Sequence, residues 1–547
     1  MVNYPIGIQD FEKIRKGRYV YVDKTGLVYR LTRGSVYFLG RPRRFGKSLL
    51  VSTLKYYFEG RRDLFEGLKI MELEKEWQKH PVFLFDFNLG DKKKAGGLDE
   101  YLLSVIGKGE QEYGIAPLMK ADGSGPLLDA PMRLANLLEQ LHRKTGQQSV
   151  VLVDEYDKPL LDLLETGSAD DDTQPEVRPA QKDALLAKNR ETLKNFFSTF
   201  KAADAHLRFV LLTGITKFSQ VSMFSGVNQP DDISIDARFE AICGITEDEL
   251  YSVFADSIAE LAEARGCTVE QMKEELKLRY DGYHFCDKLT DIYNPFSLLN
   301  AFAKGKIKDY WFASGTPSFL IRLLSKSSED VMQYTGRYYD EDTFVNYKAD
   351  ATTPLPMIFQ SGYLTIKDVN RRFNTYLLDF PNREVREGLT TLLLGNYLQP
   401  KADSKSWVTD MVDALETADL DLVRRLFTSF LAATPYSMRP KKTQEQREQY
   451  FHYTFYLLMR LISCYTVYTE KQLSEGRADC IIETPKYVYI FEFKLDGTAD
   501  EALQQIKDKG YATAYAADPR PLYCIGASFS SKTGTVEEWK ALSSWPG

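Results

Sequence analysis

The chain has 547 residues, of which 44% are hydrophobic and 27% are charged, and its formal net charge is −7. A chain of this length has room for about three or four domains with their own hydrophobic cores. The composition is typical of a soluble globular protein. The negative net charge excludes a general electrostatic attraction to nucleic acid, so binding of that kind needs a local basic patch.

The cysteines and the apolar stretches indicate the compartment. The six cysteines are scattered without paired spacing, which argues against a zinc site or a disulfide framework and for a reducing cytosol. The N-terminus mixes acidic and basic residues and does not look like a signal peptide. The most apolar stretch, Tyr453–Tyr468, is short and contains Arg460, so it predicts no membrane span. We therefore expect a cytoplasmic protein without a membrane partner.

The first chemical motif follows a predicted strand. Val36–Leu39 is apolar, and Leu49–Phe58 carries apolar residues at helical spacing. Between them, Gly40–Ser48 reads Gly-Arg-Pro-Arg-Arg-Phe-Gly-Lys-Ser. A strand, a tight loop and a helix form the context of a phosphate-binding loop, in which backbone N–H groups point at an anion.

This loop predicts ATP and Mg²⁺ as ligands. We assign the Lys47 ammonium to the β- and γ-phosphates and the Ser48 hydroxyl to Mg²⁺. Arg41 occupies the place of the usual first glycine, so only the Gly-Lys-Ser half of the common pattern is present. The residues predicted to line the nucleotide here are Arg44, Phe45, Gly46, Lys47, Ser48 and Leu49.

The other half of a nucleotide site is predicted at Val150–Asp157, which reads Val-Val-Leu-Val-Asp-Glu-Tyr-Asp. Four apolar residues in a row suit a central parallel strand, and carboxylates at its C-terminal end lie where open α/β sheets bind ligands. We predict that Asp154 holds Mg²⁺ through water and that Glu155 polarises the water that attacks the γ-phosphate. The alternative is an ordinary strand that ends in a solvated acidic loop. Because both halves occur in the required order, we predict a nucleotide-binding domain.

Further strands extend the predicted doubly wound parallel sheet. Val82–Phe87 and Arg208–Leu212 are apolar, and Thr213 follows the second of them with a polar group near the γ-phosphate. Glu165–Gln181 is acidic and has no apolar period, which predicts a mobile surface loop. We place this P-loop domain at residues 1–231.

A mainly helical middle region is predicted at residues 232–380. Asp248–Ala264 and Val269–Leu278 are amphipathic. Dense clusters of aromatic residues, Gly and Pro at Tyr280–His284, Asn294–Leu298 and Tyr310–Thr316 predict structured turns rather than ligand contacts.

The final domain, predicted at residues 381–547 with a helical lead-in, contains a second charged group. Gly476–Ile482 and Tyr487–Leu495 predict two strands joined by a turn at Thr484–Lys486. A hairpin centred on that turn pairs Asp479 with Glu492, and opposed residues have Cβ atoms about 5 Å apart on one face.

Lys494 shares this face, because it lies two residues beyond Glu492. The neighbours Phe491 and Phe493 place the strand in a core, where three charged groups are costly unless they bind a metal or each other. We interpret the group as a Mg²⁺ site in which Asp479 and Glu492 bind the ion and Lys494 orients or activates the attacking water. The alternative is a salt-bridged ladder at a sheet edge.

Two predicted helices border this hairpin. Glu445–Met459 carries Glu448, a possible further carboxylate ligand, and His452, which we interpret as a packed core residue. Ala502–Lys509 carries Gln504 and Gln505, one of which could contact a scissile phosphate.

The N-terminal motifs resemble those of the AAA-ATPase-like domain found in many bacterial proteins. The matching stretches are Tyr21–Thr25, Arg41–Leu49, Asp154–Pro159 and Leu212–Phe218. That family itself carries Arg-Pro-Arg-Arg-Phe-Gly-Lys-Ser, so the resemblance makes Arg41 a family feature. It implies ATP binding and hydrolysis.

The C-terminal motifs are similar to those of the PD-(D/E)XK nuclease superfamily. They are Gly476–Asp479, Glu492–Lys494 and Gln505, with Gly-Arg-Ala-Asp where the superfamily name has Pro-Asp. The resemblance implies a restriction-endonuclease-like α/β domain that cleaves nucleic acid with Mg²⁺, with DNA preferred over RNA as the partner.

Three functions follow as hypotheses. The chain is an ATP-regulated, Mg²⁺-dependent nuclease, a nucleotide switch whose nuclease-like domain only binds nucleic acid or protein, or an ATPase that remodels protein partners. The arginine that completes the ATP site is open among Arg43, Arg44 and Arg238. A second subunit is a further source of that arginine, so a homo-oligomer or a protein partner is also open.

Overall fold

The computed structural model describes residues 2–165, 179–217, 230–312, 334–345, 354–389, 404–432, 466–473, 476–484 and 486–543. The chain divides into two compact units, Met1–Val385 and Arg386–Gly547. The predicted P-loop domain and most of the middle region fall in the first unit, and our three-domain division stays a prediction. The predicted helix with Glu448 and His452 lies outside the described residues.

A five-stranded parallel sheet forms the framework of the first unit. Its strands are β1 (Val36–Gly40), β2 (Val82–Asp86), β3 (Ser149–Asp154), β4 (Leu207–Gly214) and β5 (Asp231–Asp232). The order across the sheet is β2-β3-β4-β1-β5, and every pairing is parallel. All six residues of β3 are buried, because a parallel strand covered on both faces needs a continuous apolar run. The predicted P-loop α/β fold is confirmed.

The helices that connect these strands agree with the predicted alternation. They are α1 (Phe11–Lys16), α2 (Thr25–Leu31), α3 (Lys47–Phe58), α4 (Ile70–Leu73), α5 (Gly97–Tyr113), α6 (Ala130–Thr145), α7 (Lys158–Glu165) and α8 (Pro179–Ala202). The loop predicted at Glu165–Gln181 lies mostly outside the described residues, and its last three residues already belong to α8. The side chain of Asp129 caps α6 by accepting a hydrogen bond from the Met132 N–H.

The middle of the chain is helical, as predicted, but it also contains short strands. Its helices are α9 (Glu247–Val253), α10 (Ala255–Arg265), α11 (Val269–Tyr280), α12 (Pro295–Lys304), α13 (Glu341–Val345) and α14 (Leu355–Gln360). The helix predicted at Asp248–Ala264 is two helices, which meet at Phe254. Its strands are β6 (Ile245–Thr246), β7 (Ile292–Tyr293), β8 (Arg337–Asp340), β9 (Thr365–Asn370) and β10 (Thr375–Asp379).

The strands β8, β10 and β9 form an antiparallel sheet that we did not predict. They are short, and their residues are mostly half-buried or exposed, so the alternation that marks a strand is weak.

The second unit contains a mixed five-stranded sheet. Its strands are β11 (Thr466–Leu473), β12 (Gly476–Glu483), β13 (Val488–Leu495), β14 (Leu522–Phe529) and β15 (Val536–Leu542). They follow one another across the sheet in the same order as along the chain. Only β13 and β14 are parallel to each other. The hairpin has the predicted register, since Cys480 pairs with Phe491. Because β13 is the central strand, a ladder at a sheet edge is excluded as its explanation.

Helices lie on both faces of this sheet. They are α15 (Ser404–Thr417), α16 (Leu420–Ala432) and α17 (Ala499–Asp508). On one face, Leu503 and Ile506 of α17 pack in a cluster with Ile490. On the other, the Tyr489 hydroxyl donates to the backbone oxygen of Leu415, 2.6 Å away. The predicted nuclease-like α/β fold is confirmed. In the parts of the chain that the structure describes, no helix is long and apolar enough to cross a membrane.

Candidate functional site

The predicted phosphate-binding loop joins β1 to α3. Gly46 has a φ of 98°, a left-handed conformation that glycine adopts without strain. It lies at the N-cap of α3, and Lys47 is the first residue of that helix. The positive end of the helix dipole and the first N–H groups of α3 therefore face the loop, as an anion site requires.

Lys47 points into the loop. Its side chain is buried, and its Nζ donates to the backbone oxygens of Arg41 at 2.8 Å and Pro42 at 3.0 Å. Burial lowers the pKa of Lys47, and the nearby carboxylates of Glu155 and Asp154 oppose that shift. The ammonium thus lies inside the loop, within electrostatic reach of the acidic residues at the end of β3.

The strand order brings Thr213 between the two halves of the site. Because β4 lies between β1 and β3, Thr213 pairs with Leu39 on one side. On the other side its hydroxyl donates to the Asp154 carboxylate at 2.6 Å. Both Asp154 and Thr213 are buried. The structure therefore brings together residues that were predicted from three separate motifs. They lie at the C-terminal ends of the parallel strands, which is where open α/β sheets bind ligands.

Glu155 has an unusual backbone conformation. Its φ is 51°, in the left-handed region that non-glycine residues rarely adopt. Burial raises its pKa, while the Lys47 ammonium acts in the opposite direction. Strained backbone and a raised carboxyl pKa are both frequent at catalytic positions. This geometry is consistent with the predicted role of Glu155 as a base.

Asp157 lies at the same C-terminal ends of the strands, and the sequence analysis gave it no role. Its Oδ2 accepts hydrogen bonds from the backbone N–H groups of Ile215 at 2.9 Å and Thr216 at 2.7 Å, and from the Thr216 hydroxyl at 2.7 Å. The Tyr156 hydroxyl donates to the Thr216 oxygen at 2.7 Å. These bonds join the chain after β4 to the chain after β3. The available signal was the second aspartate of Asp-Glu-Tyr-Asp, and an aspartate at that position does not indicate a role by itself.

Arg41, in the place of the usual glycine, is a buried anchor. Its guanidinium donates to the Ser234 oxygen at 2.5 Å and lies 4.0 Å from the centre of the Phe285 ring. Burial lowers its pKa to about 10. A glycine here would remove both contacts, which explains why the loop does not follow the common glycine-rich pattern.

The side chains of Arg44 and Phe45 contact aromatic rings of the middle region. Arg44 is exposed and lies over the Phe296 ring at 4.0 Å. Phe45 is buried against Tyr283, with ring centres 4.8 Å apart. The predicted role of these two residues in nucleotide binding stays a prediction.

Of the three arginines open for completing the ATP site, Arg238 is engaged elsewhere. Its guanidinium contacts Asp236 at 2.5 Å and Asp231 at 3.1 Å. The pair with Asp231 is exposed and adds little stability, whereas the Asp236 side chain is 17% exposed.

A mostly apolar cavity opens beside the start of α3, and the sequence analysis did not find it. Its lining includes Tyr21, Val22, Leu49, Thr53, Pro295 and Leu299. At its margin the Lys24 ammonium contacts Glu249 at 2.5 Å. Phe45 and Gly46 also line it, so the cavity adjoins the predicted phosphate-binding loop. Tyr21 and Val22 belong to a motif that we recognised but to which we gave no role.

The second candidate site lies on the central strand of the C-terminal sheet. Glu492 is 1% exposed, and its Oε1 lies 3.9 Å from the Lys494 ammonium. Its Oε2 lies 3.4 Å from the backbone nitrogen of Asp479. The Asp479 carboxylate accepts a hydrogen bond from the Phe493 N–H at 2.8 Å, so it lies against β13. The predicted group of two carboxylates and one ammonium is thus assembled.

Gln505 completes this group from α17. Its Oε1 accepts a hydrogen bond from Lys494 at 2.5 Å, and its Nε2 donates to Glu492. The neighbouring Gln504 is exposed and bonds to Asp508 on its own helix at 2.7 Å. The structure therefore distinguishes the two glutamines that the sequence left open.

The residues present fit a divalent cation that keeps part of its water shell. Among the described residues, no three His, Cys, Asp or Glu side chains are grouped so that they could hold a metal. Mg²⁺ is commonly bound through one or two carboxylates, with water and phosphate oxygens as the other ligands. Asp479 and the buried Glu492 supply that number. Glu492 is buried on the central strand, and a bound cation would offset the cost of keeping its charge there.

Comparison with known proteins agrees with this geometry. The family model "Predicted AAA-ATPase" (AAA-ATPase-like) matches residues 5–224, and the model of the PD-(D/E)XK nuclease superfamily matches residues 446–539. The chain is also 36% identical over 538 residues to the "Uncharacterized protein in vnfD 5'region" of Azotobacter chroococcum mcd 1, and the match covers 97% of each chain. The chain belongs to the AAA-ATPase-like family and carries a C-terminal domain of the PD-(D/E)XK nuclease superfamily. The resemblance read from the motifs is thereby confirmed.

We expect Lys47→Ala to weaken ATP binding by about tenfold or more. The loss of a charge-assisted hydrogen bond to phosphate is worth roughly 1.5–3 kcal/mol. Calorimetry with Mg²⁺ and ATP measures the change, and the exposed Lys93→Ala is the control. Unchanged affinity in a folded Lys47→Ala protein would contradict the assignment of the phosphate loop.

Asp281 in the middle region gives a prediction about stability. This residue is 1% exposed, and burial raises its pKa from 3.8 to about 7, with the Asp291 carboxylate acting in the same direction. The folded state therefore holds the proton more tightly than the unfolded state, so this group loses its stabilising contribution as the pH rises from about 4 through about 7. We expect Asp281→Asn to raise the melting temperature at pH 8 and to have a smaller effect at pH 5.

Thermal melts of both proteins at the two pH values test this expectation. Asp287→Asn, at an exposed position six residues further along the chain, is the control that removes a charge from the surface. An equal change at both pH values would show that Asp281 does not have a raised pKa.

Proposed function

We propose that this cytoplasmic protein binds and hydrolyses ATP with Mg²⁺ at its N-terminal site and cleaves phosphodiester bonds of nucleic acid, with DNA preferred, at its C-terminal site. The observation that carries the proposal is the charged group on β13. Glu492 is 1% exposed, and Asp479, Lys494 and Gln505 surround its carboxylate. A buried carboxylate is energetically costly in the core of a sheet. Ion binding gives a reason for its presence that packing does not.

At the N-terminal site, the residues have separate tasks. The N–H groups at the start of α3 and the Lys47 ammonium bind the phosphates, and Ser48 and Asp154 hold Mg²⁺. Thr213 keeps the Asp154 carboxylate in place through its hydrogen bond. Glu155 accepts the proton of the attacking water, because its raised pKa makes it a better base than a solvated glutamate.

The apolar cavity beside α3 suits the base of the nucleotide. Leu49 and Thr53 extend along α3 from the phosphate-binding turn, and Pro295 and Leu299 approach from α12. A flat base buries apolar surface there while its phosphates stay at the loop, so both parts of ATP have a site.

At the C-terminal site, Asp479 and Glu492 would hold the divalent cation. When bound, that cation supplies charge for the phosphodiester group and lowers the pKa of a water molecule. The Lys494 ammonium, 27% exposed in its side chain, donates a hydrogen bond to the attacking water. Gln505 holds Lys494 and Glu492 at a fixed separation through one side-chain amide.

One experiment tests the proposal directly. Purified protein is incubated with plasmid, linear duplex and single-stranded DNA and with RNA, each with Mg²⁺ or with EDTA and with or without ATP. We expect cleavage that needs Mg²⁺. Cleavage in EDTA, or no cleavage of any substrate with Mg²⁺ and ATP, would contradict the nuclease assignment.

A nucleotide switch is the second candidate function, and one observation favours it. The loop residues from Arg41 to Phe45 pack against the middle region, so a change in the loop must also change those contacts. In that function the C-terminal domain only binds nucleic acid or protein. ATP binding without turnover, together with affinity for nucleic acid that Lys494→Ala leaves unchanged, would decide for it.

A further inference from the structure

Five consecutive residues of the phosphate-binding loop are each contacted from the middle region. The contacts are Arg41 with Phe285, Pro42 with Gly362, the Arg43 oxygen with Trp311, Arg44 with Phe296, and Phe45 with Tyr283. At Gly362 the fit is close, because a Cβ atom there would lie 2.7 Å from the Pro42 ring. A loop held at five successive positions cannot change conformation by itself.

Trp311 makes the polar contact in this set. Its side chain is among the largest that are fully buried, and its indole N–H donates to the backbone oxygen of Arg43 at 3.0 Å. Its backbone N–H donates to Glu384 at 2.8 Å and to the Ser297 hydroxyl at 3.0 Å. Glu384 and Ser297 therefore hold the backbone of Trp311, and its indole ring holds the loop at Arg43.

Glu384 connects these contacts. It is 1% exposed, and its carboxylate also accepts a hydrogen bond from the Ser297 hydroxyl at 2.7 Å. Ser297 lies in the first turn of α12, next to Phe296, which stacks on Arg44. Along the chain, Glu384 precedes Arg386, the first residue of the second unit, by two positions. One carboxylate thus joins Trp311 and α12 to the segment that leads into the second unit.

Phosphate binding involves the loop itself, which is the other partner in these contacts. Lys47 donates to the backbone oxygens of Arg41 and Pro42, the two residues before Arg43. When the ammonium turns to a phosphate, these two carbonyl groups lose their donor. Any movement of the peptide groups around Pro42 and Arg43 would then reach the Arg43 oxygen, which accepts the hydrogen bond from Trp311.

We propose that Trp311 is a positioning residue of the nucleotide site and that, through Glu384, it couples ATP binding to the stability of segment 383–389. This inference rests on the proposed binding of ATP. The coupling is reciprocal, so order in this segment also favours nucleotide binding by the same factor.

Hydrogen exchange in the full-length protein tests the coupling. Amides of segment 383–389 are followed with Mg²⁺ alone and with Mg²⁺ plus a slowly hydrolysed ATP analogue, and calorimetry measures binding of the analogue. We expect the analogue to slow exchange there about fivefold or more in the wild type. In Trp311→Phe, which keeps an aromatic ring and loses the indole N–H, we expect the analogue to bind and the exchange response to be lost.

Trp407→Phe is the matched control. The Trp407 indole also donates to a backbone oxygen, that of Leu426 at 3.1 Å, but it lies in the second unit. The same chemical deletion there should leave the exchange response of segment 383–389 unchanged. If Trp311→Phe does not fold, Ser297→Ala removes a hydroxyl that bonds both to Glu384 and to the Trp311 N–H, and we expect it to reduce the response.

The outcomes separate this inference from the proposed function. Absence of analogue binding to the wild-type protein contradicts the proposed function. Binding without any change of exchange in segment 383–389 overturns the coupling and leaves ATP binding in place. A full response in Trp311→Phe, or in Ser297→Ala where that variant replaces it, overturns the role of these contacts.

Discussion

Glu155→Gln is expected to slow ATP turnover by at least about 100-fold while ATP still binds. A positioned base contributes about 10²–10⁴-fold to such a reaction, and glutamine keeps the shape of the side chain but cannot accept the proton. The left-handed backbone at this position constrains glutamine and glutamate alike, so the fold should tolerate the change. Release of inorganic phosphate measures turnover, and calorimetry measures binding.

Two further variants separate catalysis from other effects. Glu112→Gln removes an exposed carboxylate and should leave turnover unchanged. Asp154→Ala removes the partner of the Thr213 hydroxyl and should weaken Mg²⁺-dependent binding instead. Turnover by Glu155→Gln at the wild-type rate would mean that another group is the base. A wild-type protein that binds ATP but never hydrolyses it would favour the switch.

Asp479→Ala and Lys494→Ala are each expected to abolish cleavage of nucleic acid, while ATP turnover persists. Asp479 supplies one of the two carboxylates for the cation, and Lys494 donates to the attacking water and to Gln505. Plasmid nicking with Mg²⁺ measures cleavage, and phosphate release measures ATP turnover in the same samples. Lys507→Ala, at an exposed lysine of α17, is the control and should cleave at the wild-type rate.

Folding must be measured before a loss of cleavage is assigned to chemistry. Removing one partner of a buried charge pair can cost about 3–5 kcal/mol, although the partial exposure of Lys494 reduces this. Thermal melts of each variant provide the comparison. Cleavage retained by a folded Lys494→Ala protein, or a Mn²⁺-soaked crystal without an ion between Asp479 and Glu492, would exclude the proposed nuclease site.

The local pattern of residues was sufficient to predict the hairpin of the nuclease site. The register follows from the position of the turn at Thr484–Lys486, and a period of two then places Asp479, Glu492 and Lys494 on one face. The structure has the predicted register, because turn position and alternation are properties of a few neighbouring residues. The partner of these groups on α17 was less certain, since Gln504 and Gln505 differ only in which side of the helix they occupy.

The strands and the phosphate-binding turn of the N-terminal domain were also readable from short segments. Continuous apolar runs predicted β1 and β3, and the helical spacing of apolar residues in Leu49–Phe58 predicted the start of α3 to within two residues. Short-range rules of burial and helix formation are enough for such elements. They do not predict which strands are neighbours, so the sequence analysis did not place β4 between β1 and β3.

Only the tertiary structure decided what the unusual loop side chains do. By sequence, Arg41 was a departure from a glycine pattern, Phe45 was a phosphate-loop residue, and Arg44 was also a candidate for the arginine that completes the ATP site. In the fold, their side chains pack on Phe285, Phe296 and Tyr283, more than 200 positions away in the chain. Hydrophobic and cation–π contacts act between surfaces that folding brings together, and no local period encodes such distant partners. The chemical groups of both sites were therefore evident from the sequence, whereas the attachment of the nucleotide loop to the middle region was determined by packing alone.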